Sequence, residues 1–125
     1  MKWLAIFLHV LLSSCSGGFS TIKSGYAYRM DAQAAHNVVD SAIRSNVAGD
    51  RMLPGSSLVA SGYDRAAMDT QTYTATAIPV LRLAAYGFEL RHEGTMFNGP
   101  TKAARIFKMM NERATLSGTR VAIGP

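Results

Sequence analysis

DAQAAHNVVDSAIRSNV, residues 31–47, spaces its apolar side chains as a helix does. Ala34, Ala35, Val38, Val39, Ala42, Ile43 and Val47 recur three and four residues apart, with Met30 just ahead of them. That period puts them on one stripe of an amphipathic helix. Asp31 stands where a carboxylate can accept the free amides of a first turn, and Gly49 where a helix can end. A second stripe of the same period lies in Thr101–Ala114, where Ala103, Ile106, Phe107, Met110 and Ala114 share a face. Two such stripes need another layer to pack against, and the segments between them supply the candidates.

Asp50–Ser56 reads as a loop, with Pro54-Gly55 as its turn. Ser57–Ala60 is a short strand candidate closed by Gly62, and Asp64–Asp69 fits one or two turns of helix. Thr72–Ala77 alternates threonine with Tyr73, Ala75 and Ala77, which is strand-like, although the same residues would also extend a helix. Pro79 biases Ile78 toward an extended backbone. Val80–Tyr86 then reads as a short apolar helix ended by Gly87, and Phe88–His92 as a strand. Asn98-Gly99-Pro100 reads as a turn, and Thr119–Ile123 as a last short strand. Helices and short strands intermix, so the expected fold class is α/β: one small domain over residues 26–125, with two main helices and a few short strands. Its expected core holds Val39, Ile43, Leu81, Leu83, Ile106, Phe107 and Met110.

Composition sets the outer limits. A chain of 125 residues has room for one domain, and 48% hydrophobic with 17% charged residues is too apolar for a disordered chain. Thirteen Lys and Arg against eight Asp and Glu give a net charge of +5. The cations are dispersed, so no nucleic-acid partner is expected.

The front of the chain has its own grammar. Met1-Lys2 supplies a positive start, WLAIFLHVLL (residues 3–12) an apolar run, and Ser13-Ser14-Cys15 a small-residue exit. This is the order of a secretory signal over residues 1–14. The run is too short to cross a bilayer, which needs about 20 residues. Cys15 is the only cysteine, so no disulfide forms within the chain. Leu12-Ser13-Ser14-Cys15 resembles the bacterial lipobox, the processing site of lipoprotein precursors. That resemblance implies cleavage before Cys15, a diacylglyceryl group on its thiol, and an acylated amino terminus. Ser16 in place of an aspartate implies the outer membrane, with the domain facing the periplasm. Small and polar residues from Ser16 to Gly25 read as a flexible tether, so residues 15–25 form the lipidated cysteine and its leash.

Catalytic signatures are thin. His36 and Asp40, four apart on one helical face, can pair, but a surface pair is the simpler reading. No Gly-x-Ser-x-Gly elbow accompanies them. His92-Glu93 starts like a zinc-protease motif, yet Gly94, Thr95 and Met96 follow without a second histidine. Neither a metal site nor a bound cofactor is expected, and no catalytic residue is assigned. Met30, Met52, Met68, Met96, Met109 and Met110 lack a ligand spacing and read as core filling. The last helix is more informative. Lys102, Arg105 and Lys108 stand three apart, opposite the Ile106 face, as a candidate partner-binding basic face.

The order of lipobox, tether, helix, apolar segment closing in Tyr86-Gly87-Phe88-Glu89-Leu90, and later helix–strand unit is similar to small lipoproteins of conjugation and secretion machines. The resemblance implies a non-enzymatic envelope protein, anchored in the membrane through acyl chains on Cys15 and serving protein partners of such an apparatus. The alternative is a lipoprotein that binds an anionic envelope polymer, peptidoglycan or lipopolysaccharide, through the basic helix face. A hydrolase using His36 or His92 is the third reading.

Overall fold

A computed structural model of the chain describes residues 19–66, 69–94 and 99–123. The expected signal over residues 1–14, with the lipobox-like residues 12–15, lies outside the described residues, as do Met68 and Met96.

The first helix forms where its stripe predicts. Strand β1 (Phe19–Arg29) leads into helix α1 (Ala32–Arg44), capped by Asp31, whose carboxylate accepts the Ala34 amide at 2.8 Å. A short 3-10 turn, Gly49–Arg51, then opens a run of three antiparallel hairpins. These are built from β2 (Met52–Ser56), β3 (Val59–Ala66), β4 (Asp69–Val80) and β5 (Ala85–Glu93). Helix α2 (Gly99–Ser117) and strand β6 (Thr119–Ala122) complete the domain.

All six strands join one antiparallel sheet in the order β2-β3-β4-β5-β1-β6. Chain geometry explains the crossover. From β1 to β2 the chain must traverse four strand spacings, roughly 19 Å. The 13 residues of α1 span roughly 20 Å, which carries the chain across the sheet face in one element. Helix α2 similarly links β5 to β6, two parallel strands with β1 between them.

The core lies between the helices and one sheet face. Val38, Val39, Ala42 and Ile43 of α1 and Ala103, Ile106, Met110 and Ala114 of α2 are buried there. They meet Tyr73, Ala75 and Ala77 of β4, and Phe88 and Leu90 of β5. The period-2 pattern of β4 leaves Thr72, Thr74 and Thr76 on the other face, half-buried. Met30, Met52, Met109 and Met110 lie in this core or against it, which is the packing role read from the sequence.

One small domain with two main helices is therefore the architecture. The α/β class fits it only loosely, because an antiparallel sheet dominates and its strands are not short: β1 has 11 residues and β4 has 12. Four local expectations give way. Residues 20–25 do not form a tether but belong to β1, with 20–23 paired to β5 and 24–25 in the register shift that follows. Pro54-Gly55 is not a turn but part of β2, where an edge strand tolerates a proline that has no amide to donate. Residues expected as helix at 64–66 and 69 close the β3–β4 hairpin, with Ala66 opposite Asp69. The expected apolar helix at 80–86 is a 3-10 turn, Leu81–Leu83, and Ala84 then takes a left-handed φ of 49° so that β5 can return along β4. Leu81 is consequently 89% exposed rather than in the core, Leu83 is only half-buried, and Phe107 packs at the core's margin. The turn residues before α2 also shift. Gly99 and Pro100 begin the helix itself, with proline in the first turn where its missing amide costs nothing.

Candidate functional site

A polar cleft of about 390 Å³ opens between the β3–β4 hairpin and the first turns of α2. Period-2 alternation on β4 sends Gln71 and Tyr73 to the helix side of the sheet, and Asp69 begins the same strand. Asp64 comes from the end of β3, and Lys102 and Arg105 from one side of α2. His92 of β5 lies opposite Tyr73 in the ladder and is 1% exposed.

The cleft's groups are tied to one another. The Gln71 amide donates to the Asp69 carboxylate at 2.6 Å, which turns its carbonyl oxygen toward His92 Nε2. His92 therefore carries its proton on Nε2 and donates it to Gln71. Its ring stacks on Tyr73, with centroids 5.4 Å apart. Lys102 closes the top: its ammonium meets Asp64 at 2.5 Å and lies 5.8 Å from the Tyr73 ring centre.

Electrostatics follow from this burial. Tyr73 is pushed up to about 12, first by burial and then by the carboxylates of Asp64 and Asp69, with Arg105 opposing. Its phenol stays protonated across the physiological range and is a donor, not a base. Burial pushes His92 down from the ordinary histidine value of 6.5, against the pull of Asp69 and Glu93. The geometry gives the reason. An added proton must sit on Nδ1, which is buried with no hydrogen-bond partner among the described residues.

Those facts set a pH dependence. Native His92 stays neutral while the unfolded chain takes up a proton near the ordinary value of about 6.5. Stability is thus full above that value and falls as pH drops toward the lower native one, by at most about 1.4 kcal/mol per pH unit. In His92→Gln, which keeps a side-chain amide beside Gln71, that loss below about pH 6.5 disappears. Urea midpoints measured at stepped pH check it. An equal slope in the variant would assign the acid sensitivity to other groups.

The residues singled out in the sequence are dispersed by the fold. His36 does not pair with Asp40: its Nδ1 lies 2.7 Å from the Ser57 carbonyl, while Asp40 binds Arg44 at 2.9 Å. Glu93 points away from His92 on the strand and binds Arg91 at 3.0 Å. Lys102, Arg105 and Lys108 meet different surroundings. Lys102 is committed to Asp64, Arg105 lines the polar cleft, and Lys108 lines a separate groove on the other side of α2. Gln71, Tyr73, Asp64 and Asp69 carried no motif. Only the alternation of β4 hinted that Gln71 and Tyr73 share a face.

Fold and cleft together define a two-layer antiparallel domain with a self-bonded polar cluster at one end of its sheet. In comparisons with known proteins, no family model, no curated protein and no solved structure matches this chain.

Proposed function

We propose that this chain is a lipid-anchored, non-enzymatic protein of the bacterial envelope, an accessory or assembly component of a secretion- or conjugation-type apparatus. The observation that carries the reading is the position of β1 relative to Leu12-Ser13-Ser14-Cys15. Among the described residues, strand pairing reaches back to Phe19, opposite Glu93, four residues after Cys15. Four residues reach at most about 14 Å. Acyl chains on Cys15 then hold the domain close against the membrane, by the sheet end that carries Phe19, Thr72 and Glu93. A short attachment raises the effective concentration of the domain's faces toward neighbouring membrane proteins. The polar cleft supports a binding or structural role over turnover. Its histidine is buried and bonded to Gln71, and its lysine is bonded to Asp64.

The test has two arms. Expressed in a Gram-negative host, the wild-type chain is expected in the detergent phase with the added mass of acyl groups, and Cys15→Ala is expected to lose both. A mature periplasmic protein with an unmodified Cys15 thiol would end the anchor reading. Crosslinking in the native cell is expected to recover envelope proteins in stoichiometric amount. Recovery of glycan or lipopolysaccharide alone overturns the apparatus reading.

A further inference from the structure

A second concavity, of about 650 Å³, runs between α2 and the outer edge of β1. It is independent of the polar cleft and separated from it by the helix. Strand β6 covers β1 only from Tyr26 to Arg29. From Phe19 to Lys23, β1 is paired with β5 on one side, and on the other it meets no strand among the described residues. Five residues of strand, roughly 17 Å long, therefore present backbone donors and acceptors to one side.

The groove's walls are those of a strand-binding slot. Ile22 and Tyr28 form its floor from the sheet, and Phe107 comes from the helix. Ala104, Phe107, Lys108 and Asn111 are spaced three and four apart, so one face of α2 runs along the opening. This is a different face from the Ala103, Ile106 and Met110 stripe that enters the core. Tyr28 donates to Asn111 at 3.2 Å and ties the helix to the sheet across the floor.

Charge chooses the occupant. Lys23, Lys108 and Arg120 surround the groove against the single carboxylate of Glu112. Arg120 is held in place over the ring of Tyr26, 4.5 Å from its centre. An acidic strand added at this edge is drawn by these three cations.

We infer that the open edge of β1, from Phe19 to Lys23, takes an extended acidic peptide segment of a partner protein as an added strand, with its alternate acidic side chains on the helix side of the sheet, facing Lys108 and Arg120. Main-chain bonds to the edge supply the register, and the pockets and cations supply the choice of partner. The inference rests on the proposal of protein partners, and not on lipidation.

The experiment uses the full chain in detergent micelles and a fluorescein-labelled ten-residue peptide of alternating Glu and Val. Anisotropy is expected to report binding that weakens with salt. A peptide of alternating Lys and Val is expected not to bind. Amide hydrogen exchange at Ser20–Lys23 is expected to slow when the Glu-Val peptide is added. Lys108→Glu with Arg120→Glu is expected to weaken binding by roughly tenfold or more, at unchanged melting temperature. Cys15→Ala is expected to bind the peptide as the wild type does, so a failed anchor and a failed groove give different results. Four outcomes overturn the inference: no binding of the Glu-Val peptide, equal binding of the Lys-Val peptide, binding without slower exchange at Ser20–Lys23, or an edge already protected without peptide. In the last case a concentration-dependent dimer identifies a second copy as the occupant, and a monomer identifies the chain's own residues before Phe19.

Discussion

Ile106→Asp is expected to destabilise the domain by several kcal/mol, whereas Leu81→Asp is expected to leave the melting temperature nearly where it was. Both positions carry branched aliphatic side chains, but only one is inside. Ile106 is fully buried on α2, in the cluster that holds Met110, Leu90 and Tyr73. A carboxylate there has no described cation inside the cluster to meet it. Placing it costs about 4 kcal/mol or more, set against a typical domain stability of about 5–15 kcal/mol. Leu81 projects from the β4–β5 turn with 89% of its surface in water, so its aspartate changes stability by no more than about 0.5 kcal/mol. Urea unfolding followed by circular dichroism separates the two. A cooperative Ile106→Asp domain with an unchanged midpoint would contradict the packing, and so would a collapsed Leu81→Asp domain.

Gly99→Val is expected to destabilise the domain by roughly 3 kcal/mol, through overpacking and the loss of a buried hydrogen bond. Gly99 is buried at the start of α2, and a Cβ placed on it would overlap His92 Nε2 and Gln71 Oε1. The helix then either backs away from β5 or forces His92 off Gln71. Gly94 presses on the same amide from the other side: it has a φ of +140°, and a Cβ there would meet Gln71 Oε1 at 2.5 Å. Gly25→Ala is the control, because nothing lies within 4 Å of its Cβ position. Thermal melts give the size of the effect. The histidine ring resonances, followed by NMR, show whether the Asp69–Gln71–His92 chain has parted. A Gly99→Val protein that melts with the wild type would mean that α2 does not approach His92 this closely.

Both Ile106 and Gly99 lie on the inner face of α2. Its apolar stripe was legible because a helix repeats every 3.6 residues whatever it packs against, and four of its five predicted face residues are buried. What faces outward was not legible. Lys102, Arg105 and Lys108 look equivalent as three cations at equal spacing. Yet successive steps of three residues turn around the helix, and the layers beneath differ on each side. Lys102 meets Asp64 from a strand 38 residues earlier, and Lys108 meets the open edge of β1. The polar cleft was invisible for the same reason. Asp69, Gln71 and His92 form one bonded chain only because β4 and β5 pair in the register that sets Tyr73 opposite His92.

What the sequence determined by itself is the set of features that depend on neighbours within a few residues: the two helices with their inner faces, the Asp31 cap, and the alternation of β4 and β5. Tertiary structure decided the rest. Val80–Tyr86 has the composition of a helix, but Val80 bonds into a ladder with Ala85, and a four-residue turn between them satisfies more backbone than an isolated helical turn can. Residues 20–23 have the composition of a tether, but β5 offers them an edge, and strand pairing orders a largely polar segment. Both are cases in which a partner distant in sequence outweighs a weak local preference, because β-structure takes its stability from cross-strand neighbours rather than from the residue itself.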